Sequence, residues 1–376
     1  MAEFKPMRAD VAPVRTDVLV GSEEFFNRLK EDVRSARENV YVQAMSFEAD
    51  GAGLSICHEL RGSPATDIRV LVDEYVRVIV SDSFVFAPTR LFDRAHRREV
   101  RETRELFEQL NAEGIKVRTT NPLGFLLTRL LARNHKKLVV VDDRVAYVGG
   151  INFSDHNFEW HDMMLRIEAP DIAAYLRDDF LSTWSGVDQK SLRSFPGFVF
   201  HQLDGRGNEK SYESIFNLLD EARDSIVIES PYLSFPFYRK LREAVERGVE
   251  VRLILPEKSN KGVMQRYNLW EARRSGIDLR LLKGRMTHLK AVLIDEEKLI
   301  VGSSNFDFVS YRCLQELVVV VHDPETIARF DERVFRPDWQ ASVPVEGTPA
   351  STTGPLCYLY LKAIDILLVG VSTVAT

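Results

Sequence analysis

Two histidines, two lysines and two asparagines stand at matched spacing in this chain. His135, Lys137 and Asp142 spell His-x-Lys-x4-Asp, and His288, Lys290 and Asp295 repeat that spelling 153 positions later (135 to 288). Gly149 and Asn152 recur as Gly302 and Asn305 at the same displacement. An imidazole works as nucleophile or as general acid and base near neutral pH, and two of them in one pocket can divide those tasks. Two ammonium groups and two amides add positive charge and donors. The set suits a tetrahedral anion with several oxygens, and a phosphodiester is the natural candidate. One such motif is weak; two copies, each followed by glycine and asparagine at matched offsets, are strong. No Asp/Glu cluster with metal spacing accompanies them, so neither metal nor cofactor is expected.

Side-chain parity divides the motif. In an extended strand His135 and Lys137 share a face, as do His288 and Lys290. Asp142 and Asp295 lie an odd number of residues from their histidines and point the other way. As motif members they count with the catalytic set, yet parity gives them work behind it, bonding backbone amides of a turn. Gly149, Gly150, Gly302 and Ser303 read as small residues that let a backbone approach a ligand.

The positioning elements alternate between helix and strand, which implies an α/β fold. Helical spacing covers 22–38, with Ser22 as N-cap, then 54–60, a charged segment at 88–112, and 170–184. Strands are expected at 40–42, 68–72, 115–117, 138–141, 145–148 and 164–167. The order repeats later, with strands at 226–228 and 251–255 around a helix at 237–247, and Gly276–Arg280 answering Gly114–Arg118. Residues 1–187 form a first half and 188–340 a second, joined through a linker at 186–197. The first half carries extra residues within the Leu-rich segment 122–133, next to its histidine. That segment reads as a lipid-dipping element or as a buried core helix.

The remaining composition sets limits. The 376 residues carry a net charge of −6, which disfavours a dedicated nucleic-acid binder. Cys57, Cys313 and Cys357 form neither a metal spacing nor a disulfide framework, in keeping with a reducing cytoplasm. The first residues are polar, with no apolar signal segment. Residues 341–376 comprise a flexible Ser/Thr/Pro/Gly-rich linker and an apolar tail, 356–375, that includes Lys362 and Asp365. Two charges cost about 5–7 kcal/mol at a bilayer centre, against about 3–6 returned by the apolar residues. Insertion is therefore balanced, and an interfacial or partner-docking helix is an equal reading.

The paired motifs, each with a downstream Gly-Gly/Ser-x-Asn, resemble the phospholipase D superfamily from Val40 to Arg336. The runs Arg133–Asp142, Val148–Asn152 and Trp160–Glu168, with the Leu-rich segment, are similar to bacterial cardiolipin synthases. The resemblance implies two pseudo-symmetric α-β-α sandwich halves sharing one active site. It implies that one histidine attacks phosphorus to give a phosphohistidine while the other protonates the departing alcohol and later deprotonates the incoming one. By analogy His135 is the nucleophile and His288 the acid/base, with Lys137, Lys290, Asn152 and Asn305 on the phosphate. The family also has an acidic residue 27–28 positions past each histidine, bonded to an imidazole; Asp162 and Glu316 match. Whether each serves its own or the opposite histidine stays open. The implied activity is phosphatidyl transfer between phosphatidylglycerol molecules, with phospholipid hydrolysis to phosphatidic acid or metal-independent nuclease action as alternatives. The implied setting is cytoplasmic and peripheral to a membrane, reached through 122–133 and 356–376. The chain departs from the best-known cardiolipin synthases in lacking their N-terminal pair of membrane helices and in its C-terminal tail.

Overall fold

The structure, a computed structural model, describes residues 14–85, 93–127, 129–345 and 352–374. Its strands form where β-branched residues cluster. Val139, Val140 and Val141 are fully buried, as expected of a strand covered on both faces. The first half contains β1 (Arg15–Val20), β2 (Asn39–Ala44), β3 (Asp67–Asp73), a short hairpin of β4 (Ile79–Val80) and β5 (Ser83–Phe84), β6 (Lys116–Thr120), β7 (Leu138–Val141), β8 (Val145–Gly149) and β9 (Met163–Glu168). Its helices are α1 (Gly21–Ser35), α2 (Gly51–Arg61), α3 (Arg94–Ala112), α4 (Asp155–Glu159) and α5 (Pro170–Trp184). The main sheet runs β1-β9-β8-β7-β2-β3-β6. Its β2, β3 and β6 are mutually parallel, and the remaining pairings are antiparallel.

The second half repeats that plan. Its strands are β10 (Ser191–Phe195), β11 (Phe198–Asp204), β12 (Ser225–Glu229), β13 (Glu250–Pro256), β14 (Asp278–Leu282), β15 (Ala291–Ile294), β16 (Lys298–Gly302), β17 (Gln315–Val321) and β18 (Ser342–Pro344). Helices α6 (Asn208–Asp220), α7 (Phe237–Glu246), α8 (Gly262–Arg274), α9 (Phe308–Cys313), α10 (Pro324–Phe330), α11 (Arg336–Ala341) and α12 (Gly354–Val374) accompany them. Between the edge strands β10 and β18 the order is β11-β17-β16-β15-β12-β13-β14. It matches the first sheet strand for strand, so β7 corresponds to β15 and β9 to β17.

One apolar core joins the inner faces of both sheets: Leu138, Val140 and Val148 of the first and Leu289, Leu293 and Val319 of the second pack with Leu176 and Phe180 of α5 and Phe330 of α10. Each sheet's other face has its own core, under α1 and α2 on one side and under α6, α7 and α12 on the other. The two sheets therefore share this core with α5 and α10, and α1, α2, α6, α7 and α12 cover their other faces.

Several local readings need correction. Helix α1 starts at Gly21, and Ser22 lies inside it, bonding Phe158 O at 2.6 Å rather than capping the helix. The charged helix begins at Arg94 after the Asp93 cap; residues 88–92 lie outside those described. Segment 122–133 is not a core helix. Among its described residues only Phe125–Leu127 makes a single helical turn, Leu127 has φ +61°, and the Phe125 side chain is 84% exposed. The expected linker 186–197 includes strand β10, so the true connection is shorter. In the expected flexible linker, 342–344 pair as β18 with β14, and 346–351 lie outside the described residues. The apolar tail is α12, docked on the second half through Cys357, Leu361 and Leu368. Among the described residues no helix is long and apolar enough to cross a membrane.

Candidate active site

The two motif segments are held by strand-like contacts with the opposite half. His135 N donates to Gln315 O at 2.8 Å, and Gln315 N donates to Arg133 O at 2.9 Å. The mirror contact runs from His288 N to His161 O at 2.7 Å and from His161 N to Met286 O at 2.9 Å. Each contact delivers the next residue's carboxylate to a histidine. Glu316, one residue beyond Gln315, lies 3.1 Å from His135 Nδ1. Asp162, one residue beyond His161, lies 2.7 Å from His288 Nδ1. Both carboxylates therefore cross between halves, the point the sequence left open.

A carboxylate on Nδ1 fixes the ring tautomer and leaves Nε2 as the reactive nitrogen. Burial raises the pKa of both acids, but in Glu316 the His135 and Lys137 charges and the Ser303 hydroxyl outweigh it. In Asp162, Lys290 and His288 outweigh it. Both thus sit below the ordinary carboxylate range. Burial pushes His288 down to about 3, with Lys290 adding to the effect and Asp162 opposing it. His135 is lowered by burial and by Lys137 and Lys290, against Glu316. Lys290 acts on His135 and Lys137 acts on His288, so the two motifs lie in one electrostatic field.

The lysines carry the site's positive charge. Lys137 Nζ donates to His135 O at 2.7 Å. Lys290 Nζ donates to His288 O and lies 3.6 Å from Asp162. Burial depresses Lys137 to about 7 and Lys290 to about 8. As pH rises through that window the ammonium groups are lost, and the free enzyme loses its anion clamp. We expect kcat/KM to fall from about pH 7 upward, and kcat to persist to higher pH because a bound phosphodiester anion stabilises both ammoniums. A rate–pH profile flat to pH 10 would contradict this.

Asn152 and Asn305 are buried. Asn152 Oδ1 accepts from Ser46 N at 3.3 Å, and Asn305 Oδ1 has no partner among the described residues. Asp142 and Asp295 do not join the pocket. Asp142 sits beyond β7 in the left-handed region, φ +52°, and its carboxylate accepts from the backbone N–H groups of Arg37, Glu38 and Asn39 at 2.8–3.1 Å. Asp295, φ +51°, does the same for Arg223, Asp224 and Ser225. Counting them as catalytic is corrected: each pins the start of a neighbouring strand. Asp142→Ala is expected to cost about 1–3 kcal/mol in denaturant unfolding while kcat of the folded fraction holds. Normal melting with lost turnover would contradict that assignment.

The small residues also serve packing rather than ligand approach. A Cβ on Gly149 would lie 2.3 Å from Met163 O, one on Gly302 2.2 Å from Leu317 O, and one on Gly150 2.3 Å from Asp162 Oδ1. Gly150 thus leaves room for the Asp162 carboxylate, while Ser303, its counterpart, donates to Glu316.

A family model described as "Cardiolipin synthase, PLD-like domain" matches residues 29–184 and 215–339. The chain belongs to this family. It is 26% identical over 338 residues to cardiolipin synthase B of Salmonella typhi, covering 81% of this chain and 76% of that one. It is 24% identical to the major cardiolipin synthase of Bacillus subtilis, covering 86% and 68%. The fold matches a phosphatidylserine synthase of Haemophilus influenzae with TM-score 0.69 at 18% identity, covering 94% of both chains. A polyphosphate kinase from Porphyromonas gingivalis shares the fold with TM-score 0.58 at 14% identity, covering 94% of this chain and 53% of that one.

As a member of the phospholipase D superfamily, the chain is an enzyme of the phosphatidyltransferase/phosphodiesterase type. Its cardiolipin synthase-like site has further parts that spacing did not reveal. Ser310 Oγ donates to Glu316 at 2.9 Å. Trp160 and Tyr232 flank the His288 ring, with centroids 4.8 and 5.7 Å away. The Gly150/Ser303 difference within the repeat was the one available signal for the hydroxyl on Glu316.

Proposed function

We propose that the chain transfers a phosphatidyl group from one phosphatidylglycerol to another, releasing glycerol and forming cardiolipin. His135 Nε2 attacks phosphorus, a P–N bond forms and the P–O bond to glycerol breaks. His288, which takes up a proton on Nε2 once the phosphodiester anion sits beside it, gives that proton to the departing oxygen. The primary hydroxyl of a second phosphatidylglycerol then loses its proton to His288, its oxygen bonds phosphorus, and the P–N bond breaks. Lys137, Lys290, Asn152 and Asn305 hold the non-bridging oxygens. The observation that carries this reading is the crossed pairing, in which each half's carboxylate orients the other half's imidazole within one field of two lysines.

Lipid approach is supported by the loops that lead into the two histidines. Phe125 and Leu131, 84% and 42% exposed, stand with exposed Arg129 before His135. Exposed Lys283 and Arg285 stand before His288. Helix α12 adds an outward stripe of Leu356, Leu359, Tyr360, Ile366 and Leu367. Together these present apolar anchors and cations to an anionic surface. Phe125→Asp with Leu131→Asp should weaken binding to phosphatidylglycerol vesicles several-fold without lowering the melting temperature; unchanged sedimentation with vesicles would exclude the loop as an anchor.

Labelled phosphatidylglycerol vesicles in EDTA test the reaction itself. Cardiolipin is the expected product. Phosphatidic acid alone would make the enzyme a hydrolase, and cleavage of DNA or RNA without lipid turnover would make it a nuclease.

A further inference from the structure

Behind His288 lies a second set of buried ionisable groups that the reaction above does not use. Glu229 ends β12 and is fully buried, as is Thr287. The Thr287 hydroxyl donates to Glu229 Oε1. His161 Nε2 lies 2.6 Å from Asp338 Oδ2 on α11. Ligand atoms of His161, Glu229 and Asp338 all fall within 4.8 Å of one another. Glu229 Oε2 is buried with no hydrogen-bond partner among the described residues.

The cluster grips the site at two points. Thr287 immediately precedes His288, and His161 immediately precedes Asp162. Their backbones cross through the 2.7 and 2.9 Å bonds that set the His288–Asp162 pair. Two buried carboxylates side by side cannot both stay charged without a cation or a proton between them. The direct 2.6 Å contact of His161 with Asp338 is a hydrogen-bond distance, and one proton shared with Glu229 completes the set.

We propose that Glu229 is a positioning residue for His288. It keeps a proton shared with Asp338, and through Thr287 and the His161 crossing it holds the imidazole against Asp162. The idea rests on His288 being the acid/base of the proposed transfer. Glutamine copies a protonated glutamate: its carbonyl accepts from Thr287 and its N–H donates to Asp338. Alanine leaves the Thr287 hydroxyl unpartnered and Asp338 with His161 alone.

The test compares Glu229→Ala, Glu229→Gln and Thr287→Val, each by kcat and KM on phosphatidylglycerol vesicles and by the Nδ1–H proton resonance of His288. A misplacement of about 1 Å can cost about 10²-fold in rate. We expect Glu229→Ala to lose kcat on that scale with KM little changed, and its His288 resonance to shift or broaden. Glu229→Gln should restore both to within a few-fold of the parent, and Thr287→Val should fall between them. If Glu229→Ala fails to fold, the Thr287→Val and Glu229→Gln pair decides. A native His288 resonance and parent kcat in the alanine and valine variants would overturn the proposal. So would a glutamine variant as damaged as the alanine one, or uptake of one zinc or manganese ion per chain that Glu229→Gln abolishes. The resonance is read without substrate, so an inactive preparation on phosphatidylglycerol would defeat the proposed reaction and leave this test standing.

Discussion

His135→Ala and His288→Ala are each expected to remove turnover on phosphatidylglycerol, with kcat falling by about 10⁴-fold or more while the fold survives. The size follows from the proposed two-step chemistry. Without His135 no P–N bond forms, and without His288 the alkoxide leaves unprotonated and the acceptor keeps its proton; groups acting as a unit lose nearly everything when one goes. The two losses differ in kind. An activated donor with a good leaving group needs no acid, so His288→Ala should accumulate a phosphorylated chain and His135→Ala should not. The reverse pattern would exchange the two roles. Accumulation in neither, with parent-like rates, would remove both residues from the reaction.

Asp162→Asn and Glu316→Gln are expected to cost about 10²–10⁴-fold each, the range seen when a carboxylate that fixes an imidazole tautomer is neutralised. The crossed geometry makes the prediction sharper than a general loss. Asp162 lies in the first half yet bonds His288, so its variant should behave like a His288 variant and accumulate the phosphorylated chain from an activated donor. Glu316 lies in the second half yet bonds His135, so its variant should be slow to phosphorylate at all. Phosphorylation kinetics by rapid quench distinguish the two. Accumulation in the Glu316 variant and none in the Asp162 variant would mean that each acid serves the histidine of its own half.

The motif spacing made much of this legible. The apolar run 138–141 located β7, but the motif histidines and lysines precede β7 and β15. The extended-strand parity expected of them therefore does not hold, while Asp142 and Asp295 do bond backbone amides. The strands at 40–42 and 68–72 matched 226–228 and 251–255 because buried parallel strands read as continuous apolar runs. By contrast, 115–117 was legible only through the likeness of Gly114–Arg118 to Gly276–Arg280, its strand β6 being mostly exposed. Other features were silent because they depend on distant partners. His135 and Glu316 are 181 positions apart, and no local pattern reports which half's carboxylate reaches which ring. Strand β1 begins with Arg15, Thr16 and Asp17 and is held by pairing with β9, so its own sequence carries little strand signal. The leucines of 122–133 invited a buried helix, but Gly124 at φ +74° and Leu127 at φ +61° turn the chain outward. The role of Gly150 as room for Asp162 emerges only when Asp162 is in place.

In the proposed reaction one phosphorus passes through a covalent bond to His135 between two in-line displacements. Phosphatidyl transfer from a donor made chiral at phosphorus with sulfur and oxygen isotopes reads this directly. Two displacements predict a product with retained configuration; inverted configuration would mean that the acceptor alcohol attacks the donor in a single step and that no phosphohistidine lies on the path.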